Sequence, residues 1–216
     1  MRVLRCVIFD MDGTIADTLP LCVESFRRVT EPFLKRPVTD QEILAAFGPS
    51  EEGTMKKLIP DHADEGVKYF WEQYRLLHYS MCPQPFDGIR ELLNELKTKK
   101  IYLALVTGKG LKSLQITLEI LGLEDIFDVV ETGSPYQPNK PEGFRNVLQQ
   151  LDLKPQDTVY IGDALSDIQA TRSVLIPIFS AAWASTAEPE KLQAAKPDKI
   201  LFSVAELRNC LMEMLF

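Results

Sequence analysis

Cysteine is scarce in this sequence: 216 residues contain four, at Cys6, Cys22, Cys82 and Cys210. None stands in a C-x-x-C pair, which excludes a dithiol redox motif and a zinc knuckle. A disulfide framework is not expected in a chain long enough for an ordinary core, so buried reduced thiols are the expectation. Histidine is scarcer still, with only His62 and His78. A zinc site or a phosphohistidine intermediate is therefore poorly supported. Basic charge is in deficit, with 24 Lys and Arg against 31 Asp and Glu and a formal net charge of -7. That balance disfavours a nucleic-acid partner and adhesion to anionic membranes. Long apolar runs are missing too. The opening stretch, Met1 to Phe9, is too short for a signal-peptide core. The longest later run, Val174 to Ala184, is broken by Pro177 and Ser180 and is too short to span a bilayer. A cytoplasmic protein is expected. No internal repeat, low-complexity tract or signal of oligomeric state is visible.

What is present suits a folded enzyme-sized domain. The 45% hydrophobic and 25% charged fractions are those of a globular chain, not a disordered one. A chain of this mass buries roughly 70% of its unfolded surface. Val3 to Phe9 is a nearly continuous apolar run, as expected of a strand buried on both faces of a parallel sheet. Ile101–Val106, Thr158–Ile161 and Ile176–Phe179 resemble it, with weaker signals at Phe127–Val130 and Lys199–Phe202. Helical periodicity fills the gaps. Ile89, Leu92, Leu93 and Leu96 follow the i, i+3, i+4, i+7 pattern. Leu111, Leu114, Leu118 and Leu121 do likewise, with Gly122 as a stop. Pro141 opens a further helix over Glu142–Leu151. Alternating strands and helices predict βαβ units and an α/β fold with a parallel sheet.

The alternation fails between Asp17 and Pro85. There Leu19–Val29, Asp40–Ala46, Glu51–Ile59 and Ala63–Tyr79 all read as helices. The block is too long for one crossover, so it predicts an all-helical cap inserted into a Rossmann-like core. The expected division is residues 1–16 and 86–216 for the core and 17–85 for the cap, with Pro83 and Pro85 marking its exit. Phe70, Trp71 and Tyr74, at helical spacing, are expected in the cap's own core.

Ligands of parallel α/β sheets bind beyond the carboxyl ends of the strands. The first strand is followed by Asp10-Met11-Asp12-Gly13-Thr14 and the second by Thr107-Gly108-Lys109-Gly110. A later strand delivers Gly162-Asp163 and, four residues on, Asp167, while Lys140 stands between Pro138 and Pro141. Four carboxylates, a hydroxyl and a lysine thus converge on one sheet edge. Carboxylates so crowded need a proton or a cation. Hard oxygen donors without histidine favour Mg²⁺, completed by a substrate phosphate. A strand-end carboxylate is a competent nucleophile, and a second one two residues on can serve as acid and then base. A lysine, a hydroxyl and backbone N–H groups neutralise the equatorial oxygens of a transferring phosphoryl group.

These motifs, in this order, resemble the haloacid dehalogenase-like hydrolases with a helical cap. Asp10 to Thr14 matches D-x-D-G-T, Thr107 the second motif, Lys140 the third, and Gly162-Asp163 through Asp167 the fourth. The resemblance covers essentially the whole chain. It implies Asp10 as nucleophile and Asp12 as general acid and base. It implies Mg²⁺ on Asp10, the Asp12 carbonyl and Asp163, assisted by Asp167. Thr107, Gly108 and Lys140 would hold the phosphate. Gly108 stands where many relatives carry asparagine. The tail, Ala182-Trp183-Ala184-Ser185 followed by Pro189 to Leu207, resembles the phosphoglycolate phosphatase-like and pyrophosphatase-like branch.

Other readings weigh less. Gly108-x-Gly110 lacks the third glycine of a dinucleotide loop. Asp17 is expected as a helix N-cap, and Lys109 and Lys112 as surface or anion-steering charges. The expected function is a magnesium-dependent phosphatase acting on a small phosphorylated metabolite, phosphoglycolate phosphatase-like. A phosphosugar mutase resembling β-phosphoglucomutase, and a pyrophosphatase, are the alternatives, and a non-catalytic binding domain is the competing class. Phe47 to Ser50, Arg27, Lys56 and Arg75 are candidates for substrate contacts from the cap.

Overall fold

The computed structural model describes residues 4–215. The apolar run near the start forms β1 (Cys6–Phe9), every residue of which is buried. Four helices follow without an intervening strand: α1 (Leu19–Leu34), α2 (Asp40–Ala46), α3 (Glu51–Leu58) and α4 (Ala63–Met81). Then the alternation begins with α5 (Ile89–Thr98), β2 (Tyr102–Val106), α6 (Leu111–Leu121), β3 (Val129–Glu131) and α7 (Lys140–Gln150). It continues with β4 (Thr158–Gly162), α8 (Leu165–Val174), β5 (Ile178–Ala181), α9 (Pro189–Ala195), β6 (Lys199–Leu201) and α10 (Val204–Glu213).

The six strands make one parallel sheet in the order β3-β2-β1-β4-β5-β6. Strand order reverses at β1, whose Phe9 lies beside Leu105 of β2 and Ile161 of β4. That reversal opens a crevice at the carboxyl ends. Side chains alternate across the sheet. Val7, Phe9, Leu103, Leu105, Val159 and Ile161 join one apolar core, together with α5, α6, α10 and the helical block. Cys6, Ile8, Ala104, Val106 and Tyr160 join the other, under α7 and α8. This is the Rossmann-like α/β core with a helical cap.

The structure shifts several predicted boundaries, among them the starts of β1, at Cys6, and of α7, at Lys140, and the end of α4, at Met81. The β3 and β5 strands begin about two residues later than expected, at Val129 and Ile178. The Ile176 N–H is instead taken by the Thr171 carbonyl at the end of α8, at 3.1 Å, and Pro177 has no N–H to give. Helix α1 runs past its expected end at Val29 to Leu34 and contains Pro32. Val3, part of the predicted first strand, lies outside the described residues. Asp17 is not an N-cap: Thr18 holds that position. Asp17 instead accepts a hydrogen bond from Ser185 at 2.7 Å.

The cap has its own apolar centre. Phe26 and Phe70 pack with ring centroids 4.4 Å apart, and Tyr74 stacks on Phe70 at 5.6 Å. Trp71 is partly buried against the same cluster. Helix α4 lies on α6, where Tyr74 and Thr117 share a buried hydrogen bond of 2.8 Å. The two connections between cap and core run side by side, with the Phe86 N–H donating to the Ile15 carbonyl at 2.9 Å. Among the described residues no helix is long and apolar enough to cross a membrane.

Candidate active site

Asp10 ends β1 at the switch point and is 5% exposed. Its Oδ1 accepts from the Met11 N–H at 2.7 Å and its Oδ2 from Lys140 Nζ at 2.5 Å. The turn beyond it depends on Gly13. That residue has φ +71°, and an added Cβ would stand 2.1 Å from Asp163 Oδ2. Only glycine combines the left-handed backbone with this close approach. The turn thereby lets the β4 loop bring Asp163 against the β1 loop.

Asp167, in the first turn of α8, is fully buried. Its Oδ1 accepts from Lys140 Nζ at 2.5 Å and its Oδ2 from the Ala164 N–H at 3.1 Å. Asp10, Asp163 and Asp167 each offer a carboxylate oxygen within 4.8 Å of the others. Such a hard oxygen set without histidine fits Mg²⁺. Burial first, then the charges of its neighbours, pushes the Asp10 carboxyl up to about 6, although Lys140 opposes the shift. Burial also raises Asp163 well above the carboxylate range, with Asp10 and Asp167 adding to it. Burial alone would lower the Lys140 ammonium, yet Asp10 and Asp167 hold it well above its usual value. The cluster therefore carries more negative charge than one lysine offsets, the condition in which a divalent cation binds.

Asp12 takes a different direction. Its side chain is not part of that cluster. Its Oδ1 accepts from Thr18 Oγ1 and lies 3.1 Å from Lys109 Nζ. Thr107 ends β2 and is 1% exposed, its N–H donating to the Glu131 carbonyl at 3.1 Å. Gly108 lines the cavity, with open space where a Cβ would stand. The structure thus joins Asp10 and Asp167 through Lys140, brings Asp163 within 4.8 Å of both carboxylates, and sets Asp12 and Gly108 along the same cavity. Thr107 does not line that cavity, and its Oγ1 accepts from the Lys109 N–H at 3.2 Å.

Lys109 corrects the sequence-based expectation of a surface charge. Its side chain is fully buried, 3.4 Å from Glu51 Oε1 and 4.7 Å from the Tyr74 ring centroid. The sequence motifs do not single out Glu51 or Tyr160. The Tyr160 hydroxyl accepts from Lys140 Nζ at 3.0 Å. Its signal was a lone phenol in an otherwise apolar strand. Glu51 opens α3 and reaches across to α6, and its only hint was the acidic pair after Ser50.

A cavity of about 660 Å³ lies over Asp10, between core and cap. Phe26, Leu44, Phe47 and Pro49 form its cap wall. Of the cap residues proposed as contacts, Phe47, Gly48 and Pro49 line it and Ser50 does not. Arg27 pairs instead with Glu24 and Asp40, Arg75 with Glu119, and Lys56 lies 6.0 Å from the Tyr136 ring centroid.

The sequence pattern described as haloacid dehalogenase-like hydrolase matches residues 7–181. The chain is 31% identical over 208 residues to Pyrophosphatase PpaX of Listeria monocytogenes serotype 4a, covering 94% of each chain. The fold is similar to a haloacid dehalogenase-like family hydrolase from Streptococcus pneumoniae, with TM-score 0.78, 25% identity, and coverage of 98% and 100%. It is also similar to a predicted phosphoglycolate phosphatase from Haemophilus somnus 129pt, with TM-score 0.77, 20% identity, and coverage of 96% and 98%.

Proposed function

The chain belongs to the haloacid dehalogenase-like hydrolases, and from that premise we propose a magnesium-dependent phosphatase acting on a small phosphorylated metabolite through an aspartyl phosphate. One observation carries this reading: the buried Asp10 carboxylate is hydrogen-bonded to Lys140 within an oxygen cluster completed by Asp163 and Asp167. Asp10, Asp163 and Asp167, with the Asp12 carbonyl, would hold the metal. When bound, Mg²⁺ offsets the carboxylate charge and polarises the phosphoryl oxygens.

The chain's own groups account for the chemistry. An Asp10 carboxylate oxygen attacks phosphorus, the ester P–O bond breaks, and its electron pair stays on the leaving oxygen. Asp12 gives that oxygen its proton. Asp12 then takes a proton from water, which attacks phosphorus, releases inorganic phosphate and restores Asp10. Lys140 and Thr107 hold the phosphoryl oxygens, and the Gly108 turn leaves room for them. The cap, residues 17–85, closes the site from water. The paired connections at Ile15 and Phe86 support that boundary, and the buried free thiols Cys6, Cys22 and Cys82 agree with a cytoplasmic setting.

Inorganic pyrophosphate is a second reading by the same steps, supported by the likeness to PpaX. Purified Asp10→Asn protein is expected to release no phosphate above background with Mg²⁺ from a panel including p-nitrophenyl phosphate. Full activity in that variant overturns the proposal. Formation of an isomer from hexose 1-phosphates, in place of free phosphate, would instead mark a mutase.

A further inference from the structure

The cavity holds very little positive charge for a site that binds anions. Among the described residues that line it, the only cations are Lys109 and Lys140. Lys140 is committed to Asp10 and Asp167, where the phosphoryl group is to be transferred. Among the described lining residues, Lys109 is the other cation available to a second anionic group. It stands just before α6, whose N-terminus adds the favourable end of a helix dipole.

That second position is already filled by the protein itself. Glu51 of the cap places Oε2 at 2.5 Å from the Gly110 N–H. Its Oε1 is 2.5 Å from Ser113 Oγ and 3.4 Å from Lys109 Nζ. Asp12, at 3.1 Å, neutralises Lys109 from the other side. The fit is close on the core side too, since a Cβ on Gly110 would stand 2.8 Å from Glu51 Oε2. The rest of the cap wall is uncharged and mostly apolar, with Phe26, Leu44, Phe47 and Pro49 beside Thr54.

We propose that the substrate is a phosphomonoester whose organic body is uncharged, and that Glu51 sets this preference by occupying the second anion position with its own carboxylate. The proposal rests on the phosphatase reading above. A carboxylate or second phosphate in the substrate body meets Glu51 as a like charge, with no free cation to receive it. Like charges brought together in a partly desolvated site are penalised. A neutral body with some apolar surface meets no such penalty and covers the aromatic wall.

The test compares 2-phosphoglycolate with its neutral isostere phosphoglycolamide, and with inorganic pyrophosphate, at saturating Mg²⁺. The expected ratio of kcat/KM in favour of the amide is about tenfold or more, equivalent to about 1.4 kcal/mol. In Glu51→Gln the ratio is expected to fall toward unity, because the opposing charge is gone and Lys109 keeps only Asp12 as an ionic partner. A ratio of two substrates on one preparation does not depend on the fraction folded. A wild-type ratio below about tenfold, or pyrophosphate as the better substrate, overturns the proposal. An unchanged ratio in Glu51→Gln overturns the role of Glu51. Absence of magnesium-dependent release from every ester, p-nitrophenyl phosphate included, overturns the phosphatase reading itself.

Discussion

Lys109 is the side chain on which the largest single-residue effect is expected. It is buried with two carboxylate partners, Asp12 at 3.1 Å and Glu51 at 3.4 Å. Removing one member of a buried ion pair leaves the other charge without compensation, at a cost of about 3–5 kcal/mol. Lys109→Met is therefore expected to lose about 3 kcal/mol or more in urea unfolding. Glu51→Gln combined with it should cost less than the sum of the two single changes, by about 1 kcal/mol. Strict additivity would show that the two side chains are energetically independent. The sequence could not reveal this pair. Asp10 and Asp12 were legible because their chemistry lies within five consecutive residues. Lys109 and Glu51 are 58 positions apart, and a lysine beside glycine is usually a solvated charge. Only the docking of cap on core buries it. Asp17 misled for the opposite reason: its neighbourhood suits a cap, but Ser185, 168 positions away, holds it instead.

Elements meet across the cap–core boundary mainly through α4 and α6, and two contacts there differ in kind. The Tyr74–Thr117 hydrogen bond is wholly buried. The Arg75–Glu119 pair is bidentate, at 2.8 and 2.7 Å, yet both partners remain substantially exposed. Tyr74→Phe leaves a buried Thr117 hydroxyl without its partner and is expected to cost about 1–2 kcal/mol. Arg75→Ala is expected to cost less than about 1 kcal/mol, because exposed ion pairs are solvated and screened. Thermal unfolding of both variants checks the order, and a larger loss in Arg75→Ala would contradict it. Elements were the most legible scale in the sequence. The buried central strands and the strongly periodic helices are all present where the pattern put them, although β1 begins at Cys6 rather than Val3. The edge strand β3 and the strand β5 slipped by about two residues, because apolar residues also pack at helix ends and strand entries. There hydrogen bonds, such as that of Ile176 to Thr171, decide the boundary rather than hydropathy.

For the whole molecule, acidic excess and phosphate chemistry meet at the sheet's switch point. The net charge of -7 is compatible with an anionic substrate because three of the acids converge on one oxygen cluster. Without metal that convergence is destabilising. The Asp10 carboxyl titrates near 3.8 when unperturbed and at about 6 in the fold. Between those values the folded chain keeps a proton that the unfolded chain has released. Its contribution to stability is thus complete below about pH 4 and is lost as pH rises through about 6. Mg²⁺ bound as proposed would require the deprotonated carboxylate, so its stabilisation would follow the reverse course. At a hundredfold excess over Kd it contributes about 2.7 kcal/mol. For a chain of this size that is a rise in Tm of about 5–10 °C. The difference in Tm between Mg²⁺ and EDTA is therefore expected to be larger at pH 7.5 than at pH 5. In Asp10→Asn it should shrink at both pH values, while the metal-free variant is at least as stable as the wild type at pH 7.5. A magnesium effect equal at both pH values, or undiminished in Asp10→Asn, would remove Asp10 from the metal site.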